Sequence, residues 1–344
     1  MNDLPAQAGQ ELSQLADKLS KYCQARPGRA VWELSITGAL FLVSWLVALI
    51  GFAHVHWLFA FLSVPAGVFL VRLFLIQHDC GHGSFFRNRT WNDVVGRTLG
   101  VLTWTPYAYW RRLHASHHAT SGNLDMRGKG DIDTLTVSEY RGLNRWRRLL
   151  YRLYRNPFVL FGLGPAYVFM LKQRMPLELV RDVKDGWISV MTTNAGIIGL
   201  IVVATIVAGP SALAAVHLPT TLCAATIGVW LFYVQHQFHG TRWDGHDEWE
   251  FHRQAVEGSS FYDLPGPLRW LTANIGIHHV HHLRSRIPSY RLYECLKDIP
   301  ELRMVNRLTM WESFKCASLA LWDDSERKLL SFRALRKMKA AKGD

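Results

Sequence analysis

The chain has 344 residues, 49% of them hydrophobic, with 14 tryptophans and a formal net charge of +12. The apolar residues come in blocks and the basic residues flank those blocks, which points to positive charge on the cytoplasmic side of a membrane rather than to nucleic acid. Five scattered cysteines (Cys23, Cys80, Cys223, Cys295 and Cys316), with no C-x-x-C pair, argue against a disulfide framework or a thiolate metal site.

Residues 1–29 are polar and carry no cleavable signal pattern; Leu12, Leu15 and Leu19 have the spacing of a short amphipathic surface helix. Two apolar blocks follow, at about 30–52 and 57–77, joined by the short turn 53–56. Each is long enough to cross a bilayer, and together they predict a hairpin. Arg72, near the end of the second block, is expected to snorkel to the interface. From 78 to 186 the chain is mostly polar and basic. Val94–Trp110 and Phe158–Leu171 interrupt it as interfacial or re-entrant pieces. A second hairpin is expected from spans at about 187–208 and 213–235, broken by Gly209-Pro210. Residues 236–300 return to polar sequence, and 301–344 read as a basic tail.

The turns at 53–56 and 209–219 hold no Lys or Arg, whereas the other polar segments are rich in both. By the positive-inside rule the two turns face outward, and both termini and the central segments are cytoplasmic. The expected fold is therefore all-helical: four transmembrane helices in two hairpins, with a cytoplasmic cap from 78–186 and 236–300.

The cap holds the chemistry. His278, His281 and His282 stand at i, i+3 and i+4, and His114, His117 and His118 repeat that spacing. His78 and His82 are an i, i+4 pair where the second span ends, and His236 sits at the end of the fourth. Residues at these spacings share one helix face, and neutral imidazole binds Zn, Cu, Fe or Ni. Nine imidazoles exceed the four positions of a structural zinc, so two metal ions are the natural count. Dense histidine ligation beside a membrane, without an H-E-x-x-H motif, favours redox iron.

His78-Asp-Cys-Gly-His82, His114-Ala-Ser-His-His118 and His278-His-Val-His-His282, with Tyr233-Val-Gln-His-Gln-Phe238, resemble the membrane fatty acid desaturase family. The likeness is greatest to the bacterial and plastid acyl-lipid type that makes Δ12 or ω6 double bonds. Gly83-Ser-Phe85, Thr120-Ser-Gly-Asn-Leu-Asp125 and Ser260-Phe-Tyr-Asp-Leu-Pro265 share it, and it runs from about residue 30 to 300. The resemblance implies a non-haem di-iron centre on His78, His82, His114, His117, His118, His236, His278, His281 and His282. It also implies O2 as co-substrate, an acyl chain as substrate and a separate electron donor, a ferredoxin or a b-type cytochrome.

Around the ligands, Asp79, Asp125 and Asp263 are candidates to orient a histidine, and Asn274 stands one helical turn before His278. Trp104, Tyr109 and Trp110 fit either an acyl tunnel or an aromatic belt. His279 falls at a non-ligand position. His239 stands where the resemblance leads one to expect an acidic residue, and is either a further ligand or a surface histidine. Two alternatives stay open: a related lipid hydroxylase or carotenoid ketolase, and a metal transporter, against which the near absence of ionisable groups within the spans speaks.

Overall fold

The computed structural model describes residues 3–128, 130–177 and 183–342. Helix α1 (Asp3–Leu19) buries Ala16 and Leu19 and leads into α2 (Pro27–His54), which starts with Pro27, a residue whose fixed φ suits a first helical position. One face of α2, with Ala30, Glu33, Thr37, Phe41, Trp45 and Ala48, is buried against the rest of the protein. The opposite face is just as apolar, with Leu42, Val43, Leu46, Val47 and Ile50 exposed, as suits a lipid-facing helix. Helix α3 (Ser63–Gly81) returns alongside α2 and is the more buried of the two.

Helices α4 (Arg89–Leu102) and α5 (Tyr107–Thr120) form the next hairpin, with the Asn88 side chain capping α4 by accepting from Thr90 N at 2.7 Å. After β1 (Leu135–Thr136) come α6 (Val137–Gly142), opened by a Thr136/Glu139 capping box, α7 (Arg145–Tyr154) and α8 (Gly164–Met170). Helix α9 (Val183–Ala212) continues through a π-helical turn into α10 (Leu218–His236). Gly209, at φ 81° and ψ 162°, breaks this run just before Pro210. Among the described residues, three stretches are long and apolar enough to cross a membrane: Pro27–His54, Trp57–Gly81 and Lys184–His236, with mean hydropathies of 2.2, 2.2 and 2.3.

The remaining elements are α11 (Phe251–Glu257), β2 (Phe261–Asp263), α12 (Gly266–Leu271), α13 (His278–Leu283), α14 (Ser289–Asp298), β3 (Arg307–Thr309), α15 (Met310–Cys316), β4 (Leu319–Asp323), β5 (Lys328–Ser331) and α16 (Phe332–Lys342). The fold is mostly helical, but the all-helical expectation misses the strands. β4 pairs in parallel with β1 and antiparallel with β5, and β2 pairs in parallel with β3. Every residue of β4 is buried, so its backbone groups need partners. The Leu319 carbonyl accepts from Arg155 Nη2 at 2.8 Å and from the Tyr233 hydroxyl at 2.8 Å, and the Ala320 carbonyl accepts from the Tyr151 hydroxyl at 2.5 Å. The segment read as a tail thus packs beneath α7 and α10.

A second departure concerns Arg72. It does not snorkel: it is 3% exposed and pairs with Glu33, which lies opposite it on α2. Its Nε also donates to Thr37 Oγ1 at 3.0 Å, and its guanidinium lies 4.0 Å over the Trp270 ring on α12. The hairpin brings a carboxylate into register with the cation, so the charge is neutralised in place.

Candidate metal centre

Two helix ends and two whole helices bring the histidines together. His78 is in the last turn of α3, with His82 just beyond it; His236 ends α10; α5 carries His114, His117 and His118; α13 carries His278, His281 and His282. The start of α5 is pinned to the end of α3, because the Tyr107 hydroxyl donates to the Cys80 carbonyl at 2.8 Å. Gln77, fully buried next to His78, accepts from Thr103 Oγ1 at 2.6 Å and donates to the Thr105 carbonyl at 3.2 Å. The approach to α13 is fixed in the same way from α10. Gln235 Nε2 donates to the Ile275 carbonyl at 3.1 Å, and Ser260 bridges the Gln235 carbonyl to the His278 amide. Gly276 is required here, since a Cβ on it would lie 2.5 Å from the Tyr262 carbonyl oxygen.

The nine imidazoles fall into two groups. His78, His82, His114, His118 and His281 form one; His117, His236, His278 and His282 form the other. Within each group one ring nitrogen per residue lies within 4.8 Å of all the others. Nε2 atoms face Nε2 atoms along His82–His114 (3.0 Å), His114–His118 (3.1 Å) and His118–His281 (3.2 Å). In the second group the contacts are His117–His236 (3.2 Å) and His236–His278 (3.0 Å). The groups touch where the His118 and His282 rings stack at 4.2 Å.

Burial, reinforced by the neighbouring imidazoles, holds His82, His114, His118, His278, His281 and His282 well below the usual histidine range, so they are neutral at pH 7. A neutral imidazole nitrogen carries either a proton or a lone pair, never both. The Nε2 atoms of His114 and His118 each face two others, so hydrogen bonding alone serves the cluster poorly. His282 Nε2 is buried with no hydrogen-bond partner. Converging lone pairs on neutral nitrogen are the donor set a transition-metal ion takes, and two groups make room for two ions.

Two carboxylates contact the candidate ligands. Asp79 Oδ1 lies 3.3 Å from His78 Nδ1, while its Oδ2 accepts from the Ser289 amide at 2.6 Å. Asp131, which the sequence did not single out, binds His117 Nδ1. A carboxylate on the outer nitrogen fixes which tautomer turns its lone pair inward. The signal for Asp131 was faint: an aspartate just after glycines, 14 positions beyond His117, in no periodic relation to it.

The other candidates lie elsewhere. Asp125 accepts from the His246 amide at 2.7 Å, and Asp263 pairs with Arg307. Asn274, at φ 56°, shapes the turn before α13 and donates to the Ser289 carbonyl at 2.9 Å. His279 is buried but faces away, with Nε2 3.0 Å from the Leu302 carbonyl oxygen, and burial draws its pKa down to about 4. His239 is exposed and belongs to neither group. Of the three aromatic candidates, Trp110 stacks on His114 at 4.5 Å, while Trp104 lies against His217, and the Tyr109 amide donates to Ser189 Oγ at 3.2 Å.

Apolar helices that end in two converging histidine groups, each able to hold a metal ion, set the class of protein. Comparison with known proteins makes the assignment narrower: the family model described as "Fatty acid desaturase" matches residues 55–314, and the chain belongs to that family. It is 40% identical over 323 residues to a fatty acid desaturase of Bacillus subtilis, covering 94% of this chain and 91% of that one. It is 28% identical over 267 residues to an sn-1 acyl-lipid omega-3 desaturase (ferredoxin) of Synechocystis, covering 72% and 70%. An endoplasmic-reticulum omega-3 fatty acid desaturase of Vigna radiata is 28% identical over 258 residues, covering 70% and 64%.

Proposed function

We propose that the protein is an integral-membrane acyl-lipid desaturase that introduces a cis double bond, of the Δ12/ω6 type that its motifs resemble, into a lipid acyl chain. The observation that carries this is the pair of converging histidine clusters at the ends of apolar helices. We assign the five-histidine and the four-histidine group to one iron each, with Asp79 and Asp131 setting the tautomers of His78 and His117. Bound iron would supply, with O2, the oxidising power that an unactivated methylene C–H demands. The balance is two hydrogens from the chain, O2, two electrons and two protons, giving one double bond and two waters. The electrons come from a separate donor; the Synechocystis relative's name specifies ferredoxin. The protein's own part is to hold the nitrogens in place, keep the site dry and fix which carbons lie beside it.

The membrane topology belongs to the same proposal. As one helix, Lys184–His236 would run about 80 Å, far beyond a hydrocarbon core of about 30 Å. The break at Gly209 divides it into two spans, giving four in all, with the clusters and both termini on the cytoplasmic face of a bacterial inner membrane. Arg112 of α5 pairs with Asp185 at the start of α9, near the level where α10 ends in His236, which supports this.

The test is the fatty-acid profile of a bacterial host expressing the chain with a ferredoxin and its reductase, analysed by gas chromatography with double-bond location. A new unsaturated acid, absent with His281→Ala, is expected. Its position also separates Δ12/ω6 from the omega-3 position in the names of several relatives. A hydroxylated product, or no acyl product from iron-loaded protein, would sink the proposal.

A further inference from the structure

The apolar stripe of α7 faces away from the protein. Trp146, Leu149, Leu150 and Leu153 stand at i, i+3, i+4 and i+7, the pattern that ordinarily buries a helix face. All four are exposed, Trp146 and Leu150 at 64% each. The opposite face is the one that packs inward. There Tyr151 is buried with its hydroxyl on the Ala320 carbonyl, and Arg152 Nε donates to the Tyr140 hydroxyl at 2.6 Å. Arg145 and Arg147 flank the stripe and are exposed. No Asp or Glu stands in the sequence between Glu139 and Glu178.

The stripe leads into structure that borders a span. Phe158, just after α7, and Leu163 and Tyr167 beyond it are exposed. Phe161, in the same segment, packs on Trp230 of α10 with ring centroids 5.0 Å apart, and its carbonyl accepts from Thr226 Oγ1 at 2.9 Å. Trp230 stands about 9 Å before His236, where α10 meets the cap. Phe314 of α15 also lies against the Trp230 ring, at 5.5 Å, and both Phe314 and Trp311 are exposed, with the exposed Lys315 beside them. The apolar faces of α7–α8 and of α15 thus meet at one tryptophan near the end of a span, the level at which aromatic residues settle at a bilayer interface.

We propose that α7 and α15 form a surface patch that rests on the cytoplasmic leaflet and binds the anionic headgroups of its phospholipids. The proposal rests on the membrane topology above and does not depend on the reaction. A lipid surface is the occupant that fits. The apolar stripe adjoins a span, arginines flank it, and no carboxylate in the segment repels a phosphate. The inner side of α7 ends in Arg155, which holds Gln237 next to His236. The leaflet therefore steadies the outer side of the element that braces the second cluster.

The experiment places the purified full chain, one copy per nanodisc, in phosphatidylcholine alone or with about one-third phosphatidylglycerol. Amide exchange across Arg145–Tyr154 is followed by mass spectrometry. With phosphatidylglycerol it is expected to slow at least about tenfold, because each cation at an anionic surface strengthens binding roughly fivefold and two arginines flank the stripe. Arg145→Gln/Arg147→Gln removes that difference, and Leu149→Ser/Leu150→Ser exchanges faster in both bilayers. Helix α14 reports overall stability and is expected to stay unchanged. Equal α7 exchange in the two bilayers, or equal slowing in α14, overturns the proposal. So does protection that needs a second copy in the disc, an added acidic ferredoxin or inorganic phosphate in solution, since the face then belongs to that occupant. If a variant fails to accumulate, the wild-type comparison of the two bilayers decides. Free exchange across α2 and α3 in the discs refutes the spans themselves, an outcome distinct from an unprotected α7.

Discussion

Glu33→Gln removes the carboxylate that neutralises Arg72 inside the α2–α3 hairpin. Both side chains are 4% exposed, so the guanidinium left behind has no water to turn to. Thr37 Oγ1 and the Trp270 ring still touch it, but neither carries charge. Breaking such a pair by deleting one partner costs about 3–5 kcal/mol, because the remaining charge stays buried. At roughly 2 °C per kcal/mol for a protein of this size, the melting temperature in detergent should fall by about 6–10 °C. Trp270 stands eight residues before His278, so iron content should fall as well. The double variant Glu33→Leu/Arg72→Leu should recover most of the lost stability, since apolar residues of similar size replace a buried pair at little cost. The assay is scanning fluorimetry of purified protein at a fixed heating rate, with iron measured on the same samples. A Glu33→Gln protein that melts with wild type, or a double variant no better than the single one, would refute the buried-pair argument.

Four further outcomes follow from the centre. Asp131→Asn should lower metal affinity about 10–100-fold by releasing the His117 tautomer, measured as iron retained against a graded chelator. Gly276→Ala forces the approach to α13 away from the Tyr262 carbonyl and should cost about 1–3 kcal/mol with a parallel loss of iron; full iron occupancy would contradict this. On the proposed di-iron centre, chelation should lower the melting temperature reversibly, because an ion that binds the folded state alone stabilises it, and re-addition of iron should restore it. His239→Ala should leave iron content and product yield at wild-type levels, since this side chain is exposed and outside both groups.

The histidine spacings made the clusters legible in the sequence, because i, i+3 and i+4 fix a shared helix face whatever the tertiary structure. How the nine divide was not legible. His117 and His118 are neighbours on one helix yet join different groups, since successive side chains point about 100° apart. Asp79 could be found because it sits within a histidine motif. Asp131 and Gln77 act through tertiary contacts that no periodicity announces. Leu319–Asp323 was missed because a short apolar run in a charged region carries no length signal, and its pairing partner is a two-residue strand far back in the chain. Arg72 was misplaced because snorkelling is the default for a lone cation, and its counter-ion belongs to a different helix.

The β1–β4 pairing also bears on how the molecule is made. Leu135 and its partner Leu321 lie 186 positions apart, so this register cannot close until Leu321 has been made. Until then Arg155 lacks the Leu319 carbonyl, and Arg155 is the residue that holds Gln237, immediately after His236. A chain made only as far as α14 holds every apolar helix named above and both histidine groups, and still lacks the brace on the second group. The arrival of Leu319–Asp323, rather than the formation of the apolar helices, is then the event that completes the framework around His236.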